Sequence, residues 1–160
     1  MVHSAGLLLY RRHGSAVEVL IAHMGGPFWA RKDEGAWSIP KGEFDPDIET
    51  ARDAAAREFR EELGIDPPAA EPVELGTWAY SSGKRVTVFA VDGAGFEASG
   101  FCFGTFEMEW PPRSGRIATF PEVDRAEWVG LDAAARLLVK GQRPALAALE
   151  RLLGIGPRIG

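Results

Sequence analysis

Apolar positions along this chain fall into short runs broken by turn-forming residues, the pattern of strands interleaved with a few helices. Leu7 to Tyr10 and Val17 to Ala22 flank Arg11-Arg12-His13-Gly14-Ser15 and predict a hairpin or two neighbouring strands. From Met24 to Pro40 the pattern lapses into a loop in which Phe28, Trp29 and Trp37 stand among Arg31, Lys32, Asp33 and Glu34. Thr50 to Leu63 predicts a helix: Ala51, Ala55, Phe59 and Leu63 recur at four-residue steps, and Gly64 supplies the stop. Val73 to Tyr80 and Arg85 to Val91 predict strands around the turn Ser81-Ser82-Gly83-Lys84.

The pattern then weakens. Asp92 to Gly104 reads as a loop with a short strand at Phe101 to Phe103, in which Cys102 is expected to be a small buried residue. Phe106 to Trp110 alternates apolar and acidic residues as a half-buried strand does, until Pro111-Pro112 halts it. Arg113 to Pro121 reads as loop, and Glu127 to Gly130 as a last short strand. Helices follow at Asp132 to Val139 and Pro144 to Leu153, the second with proline in its first turn. Trp110 and Trp128, in strand-like surroundings, are expected in the core.

Length and composition narrow the class. The 160 residues suit one domain, 1–160, and 46% hydrophobic with 26% charged residues excludes a disordered or collagen-like chain. A formal charge of -5 argues against wrapping a nucleic-acid backbone, while leaving room for one basic phosphate pocket. The single cysteine forms no internal disulfide, and no apolar stretch reaches the roughly 18 to 20 residues of a membrane span. A cytoplasmic address with no membrane and no nucleic-acid partner is the expectation. The oligomeric state is left open.

Candidate chemistry concentrates in Arg57-Glu58-Phe59-Arg60-Glu61-Glu62. Glu58 and Glu62 are four apart and share a helix face, Glu61 borders it, and Arg57 stands four before Glu61, where it can hold that carboxylate by an ion pair. Like charges so close destabilise a helix unless a cation relieves them, and Mg²⁺ is a hard ion that takes oxygen ligands and bridges to phosphates. Taken alone, such a cluster is equally an acidic solvated face paired with Arg52, Arg57 and Arg60.

The wider spacing resembles the signature of the Nudix family: Gly, five residues, Glu, seven residues, Arg-Glu, an apolar residue, any residue, Glu-Glu, any residue, Gly, aliphatic. Gly42, Glu49, Arg57, Glu58, Phe59, Glu61, Glu62, Gly64 and Ile65 fill the named positions. One departure stands out: six residues, Glu43 to Ile48, separate Gly42 from Glu49. The resemblance implies an α/β (α+β) fold, an αβα sandwich around a mixed sheet, and a pyrophosphohydrolase that uses Mg²⁺ or Mn²⁺. It further implies Glu58, Glu61 and Glu62 as metal ligands together with a carbonyl at Lys41 to Gly42, with Arg57 and Glu49 organising them. The family's loop glutamate ahead of a tryptophan-containing strand corresponds to Glu122, six before Trp128, as the base that accepts a proton from water; Glu107, Glu109 and Glu62 are its rivals.

Pro40-Lys41-Gly42 looks like the branch that cleaves dinucleoside polyphosphates or diphosphoinositol phosphates, where many nucleoside triphosphate cleaners carry two glycines. The expected partner is a small-molecule phosphoanhydride. Lys41, Trp29, Arg31 and Lys32 are the candidate substrate-binding residues, with Lys84 and Arg85 as further cations and Phe28 and Trp37 as candidate stacking faces. His3, His13 and His23 have no metal-ligand spacing and are expected to be structural or on the surface. The rival functions are nucleoside triphosphate pyrophosphohydrolysis and non-catalytic nucleotide sensing.

Overall fold

The computed structural model describes residues 1–156. Among these, nine strands build two sheets: β1 (His3–His13), β2 (Ala16–Met24), β3 (Trp37–Ser38), β4 (Lys41–Phe44), β5 (Val73–Ala79), β6 (Arg85–Asp92), β7 (Thr105–Glu109), β8 (Ile117–Pro121) and β9 (Val123–Gly130). The helices are α1 (Ala51–Leu63), α2 (Leu131–Leu137) and α3 (Pro144–Leu153), with a 3₁₀ turn at Lys140–Gln142. The large sheet runs β3-β2-β1-β6-β5, with β4 added to β1 and β9 to β2. β1 and β6 are parallel and the other strand pairs antiparallel, so the sheet is mixed.

Burial on both faces explains the unbroken run Leu7-Leu8-Leu9, since a strand covered on each side has no polar face. Leu8 joins Val19, Ile21, Trp37, Val88, Leu146 and Leu149 in a core beneath α2 and α3. Leu7 and Leu9 point the other way and join Leu20, Phe89, Phe59 and Leu63 beneath α1. The result is the expected αβα sandwich. Among the described residues no helix is long and apolar enough to cross a membrane.

Where β1 and β2 part, the chain inserts β3 and β4. β1 pairs with β2 from Tyr10 to His13 and with β4 from His3 to Gly6, while the far end of β2 pairs with β3 at Ala22 and His23. The segment Ile39-Pro40 therefore crosses the split, and it delivers Lys41 and Gly42 to the middle of the sheet beside α1. Gly6 makes room there, because a Cβ on it would lie 2.7 Å from the Pro40 carbonyl oxygen.

Several expectations are corrected. The Met24 to Pro40 loop contains β3, and β4 follows directly. Arg113 to Pro121 is not all loop: β8 pairs with β7 as a separate two-stranded ribbon, Phe106 opposite Phe120. Phe101 to Phe103 forms no strand; its rings stack at 5.5 Å and turn inward, which leaves Cys102 exposed instead of buried. β9 begins at Val123, four residues earlier than predicted, because Asp124, Arg125 and Glu127 hide its alternation. Trp110 is half-buried against exposed Phe28, ring centroids 5.4 Å apart, and lies outside both cores.

Candidate active site

Helix α1 is bounded as its sequence demands. The Thr50 hydroxyl accepts a hydrogen bond from the Asp53 N–H at 3.1 Å, and Gly64 closes the helix in the left-handed region, φ 72°, donating its N–H to the Arg60 carbonyl. Ala54, Ala55, Phe59 and Leu63 are buried, which turns Glu58, Glu61 and Glu62 toward β4 and solvent.

Arg57 organises the acidic face. Its Nε donates to both Glu49 oxygens at 3.1 Å, and its Nη1 donates to Glu58 Oε1 at 2.9 Å and to Glu61 Oε2 at 3.1 Å. Its Nη2 also engages Glu49. The Arg57 hydrogen bond lowers the Glu49 pKa, and Glu49, ahead of Glu58 and Glu61, drives that of Arg57 further up. The extra residue between Gly42 and Glu49 is absorbed in a turn in which Asp45 receives the N–H groups of Asp47, Ile48 and Glu49. Ile48 is pushed into solvent, and Glu49 keeps Arg57.

Two close approaches tie the helix to β4. The Lys41 N–H donates to Glu62 Oε2 at 3.0 Å. Gly42 lies flat against Glu58, where a Cβ would stand 2.0 Å from the carboxylate carbon, so any side chain would displace that carboxylate. Burial raises the Glu62 pKa to about 7, opposed by the Lys41 N–H and assisted by Glu122 and Glu58. Burial also raises that of Glu58, against the pull of Arg57, with Glu61 and Glu122 adding to the rise.

Glu122 thus stands within electrostatic reach of both glutamates, on the step between β8 and β9. Its N–H donates to the Gly104 carbonyl at 2.7 Å, and Gly104 donates in turn to the Glu62 carbonyl at 3.3 Å. From the other side the Gly25 N–H donates to the Glu122 carbonyl at 2.9 Å. A Cβ on Gly25 would meet the Pro121 oxygen at 2.1 Å. Two residues on, a bulge leaves Asp124 without a partner on β2 and aims it at His23, a fully buried ring whose nitrogens lie 2.8 Å from Asp124 Oδ1 and 2.6 Å from the Lys32 carbonyl oxygen. Glu107 and Glu109 are exposed on β7, and Glu109 receives the Arg113 N–H.

A cavity of about 570 Å³ opens beside this centre, lined by Met24, Ser38, Lys41, Tyr80, Lys140 and Gln142 among others. Of the four candidate substrate-binding residues it includes Lys41. Trp29 instead packs on the α3-side core with the Lys32 ammonium 5.2 Å over its ring, Arg31 is exposed, and Lys84 pairs with Glu43. Sequence alone does not single out Tyr80, Lys140 and Gln142, since nothing in their local surroundings distinguishes them from turn residues.

The donor set fits a hard divalent cation: carboxylate oxygens held close, with burial making their charge costly until a cation shares it. Among the described residues no three acidic, histidine or cysteine side chains yet enclose a point, because Glu58 and Glu61 are turned to Arg57 and Glu62 to the Lys41 N–H.

Comparison with solved structures agrees on the architecture. The chain aligns with an Ap4A hydrolase of C. elegans in a binary complex at 20% identity, covering 96% of this chain and 98% of that one with a TM-score of 0.66. It aligns with the NUDIX domain of Shewanella oneidensis NrtR complexed with ADP ribose at 17% identity, 95% and 88% coverage and 0.60. With the MutT protein of Methanosarcina mazei Go1 the values are 22%, 95%, 94% and 0.59. At these identities the likeness speaks for the fold alone. No curated relative matches the chain in sequence. The family model for the NUDIX domain matches residues 2–149, nearly the whole length and every element from β1 into α3. On that match the chain belongs to the Nudix family and is a hydrolase acting on pyrophosphate bonds.

Proposed function

We propose that this hydrolase cleaves dinucleoside polyphosphates, with diadenosine tetraphosphate as the representative substrate, by attack of water on phosphorus. One observation carries the reading: Lys41 belongs to both halves of the site, its N–H on Glu62 and the residue itself in the lining of the large cavity. An extended substrate fills the cavity with one end and brings a phosphate to the carboxylate helix with the other. The Ap4A hydrolase and the ADP-ribose complex among the structural relatives are consistent with nucleotides of that shape.

Glu58 and Glu62, with Glu61 and the Gly42 carbonyl, would hold Mg²⁺ or Mn²⁺. Such an ion supplies neutralisation of phosphate charge and acidification of the attacking water. Arg57 keeps Glu58 and Glu61 oriented while the site fills. Glu122, exposed and pinned on both sides by Gly104 and Gly25, takes the proton as water oxygen bonds to phosphorus and the bridging oxygen leaves on the other phosphate. Lys41 sets a fixed cation against the chain of phosphates. The single cysteine suits work in the cytoplasm.

A substrate panel tests this: diadenosine tetraphosphate, nucleoside triphosphates, ADP-ribose and diphosphoinositol phosphates with Mg²⁺, scored by product. The highest kcat/KM is expected for diadenosine tetraphosphate, giving ATP and AMP. A preference for free triphosphates would overturn the substrate and leave the hydrolase standing.

A further inference from the structure

The cavity wall away from the carboxylates is organised by one buried amide. Gln142 is fully buried, and its Oε1 accepts the Ile39 N–H at 2.7 Å. Because a backbone N–H can only donate, that bond fixes the amide's orientation. Its Nε2 then donates to Ser38 Oγ and to Tyr80 Oη, both at 2.9 Å. Ser38 commits its own proton to the Ile39 carbonyl at 2.8 Å. The Tyr80 oxygen is already accepting, so its proton is the one left to offer, and it has no acceptor among the described residues. Gly141 abuts the ring, where a Cβ would lie 2.2 Å from Cδ1, so the phenol is held in place. Lys140, the residue before, lines the same cavity and has no ion-pair partner among the described residues.

The side-chain groups left to a ligand here are donors: the Tyr80 hydroxyl, held in place, and the ammoniums of exposed Lys140 and half-buried Lys41. Ser81 and Ser82, on the rim, can act either way. A phosphoryl oxygen satisfies these donors, and its charge meets that of the two ammoniums. We infer that Tyr80 and Lys140 form a subsite for phosphoryl groups beyond the one attacked, which makes Lys140 a specificity-determining residue that reads the length of the phosphate chain. The inference rests on the hydrolytic reading of the carboxylate helix. Gln142 acts through Tyr80 as a positioning residue, and through Ile39, two residues before Lys41, it joins the subsite to the segment that contacts Glu62.

The test pairs kinetics with binding. Lys140→Ala should raise KM for diadenosine tetraphosphate about tenfold with kcat held, and leave both constants for ADP-ribose, with its two phosphates, unchanged. Lys140→Arg should recover most of the loss, and Tyr80→Phe, which keeps the ring, should raise KM about threefold. Calorimetric titration with inorganic tripolyphosphate, without divalent cations, reads the subsite apart from turnover: binding should weaken in Lys140→Ala. Equal tripolyphosphate binding by wild type and Lys140→Ala, or a uniform loss of kcat on every substrate, would overturn the subsite. If no phosphoanhydride is cleaved while tripolyphosphate binding still depends on Lys140, the hydrolytic reading fails and the subsite stands.

Discussion

The acidic face of α1 and the wall of the neighbouring cavity are built in opposite ways. Every side chain of the first comes from the stretch between Gly42 and Ile65, where helical periodicity alone puts Glu58, Glu61 and Glu62 on neighbouring turns and Arg57 holds Glu58 and Glu61. The second draws Ser38, Tyr80, Lys140 and Gln142 from three distant parts of the chain, and only the split between β1 and β2 and the packing of the 3₁₀ turn assemble them. On the proposed reading the cation-holding carboxylates are encoded locally, and selectivity at long range. A change in the first region should therefore alter rate, and one in the second should alter preference.

The sharpest break comes from the local region. Glu58→Gln and Glu62→Gln keep side-chain shape and remove the charge proposed to hold the cation, so kcat should fall on the order of a thousandfold with the thermal transition little changed. Steady-state rates across Mg²⁺ concentrations check this, and near wild-type rates at low Mg²⁺ would dissolve the distinction between the regions. Glu122→Gln should cost about a hundredfold in kcat with KM steady, while Glu109→Gln, on the ribbon strand β7, is neutral. The reverse ranking would move the base to that ribbon.

Gly42→Ala sharpens the contrast more finely. The added methyl meets the end of the flexible Glu58 side chain, so the backbone can stay while the carboxylate moves. Activity should drop about tenfold, recoverable in part by higher Mg²⁺, with circular dichroism unchanged.

A smaller effect follows from Glu62. Its folded-state pKa, about 7 against an ordinary 4.5, means that the metal-free protein gains stability from this group at acidic pH. That contribution is complete below 4.5 and lost as pH rises through 7. Binding a cation must expel the proton, so Mg²⁺ affinity should climb with pH and level off above 7. Calorimetry in two buffers of different ionisation heat should count about one proton released at pH 6 and about none at pH 8, and a proton count independent of pH would refute the assignment.

The same division explains which features are legible in the sequence. The helix, its caps and its carboxylates are legible because an α-helix converts spacing into proximity. The sandwich is legible because Leu7-Leu8-Leu9 and the apolar stripes of α1 and α3 admit few arrangements. β8 and the early start of β9 are not, since an exposed ribbon and a bulge that serves Asp124 need no apolar alternation. Trp29, Arg31 and Lys32 stand out as an aromatic and basic loop, yet Trp29 covers the core and the Lys32 backbone serves His23. Lys140 sits in an unremarkable Lys-Gly-Gln turn, and its place depends on a tertiary contact that local sequence does not express.

Metal binding without turnover separates the two regions most cleanly. Electron paramagnetic resonance of free Mn²⁺, titrated into wild type, Glu58→Gln and Lys140→Ala, reads whether the helix face holds the cation. Wild type and Lys140→Ala should bind Mn²⁺ alike, and Glu58→Gln at least about tenfold more weakly. Undiminished binding by Glu58→Gln, or its loss in Lys140→Ala, would contradict the assignment of the metal to the α1 carboxylates.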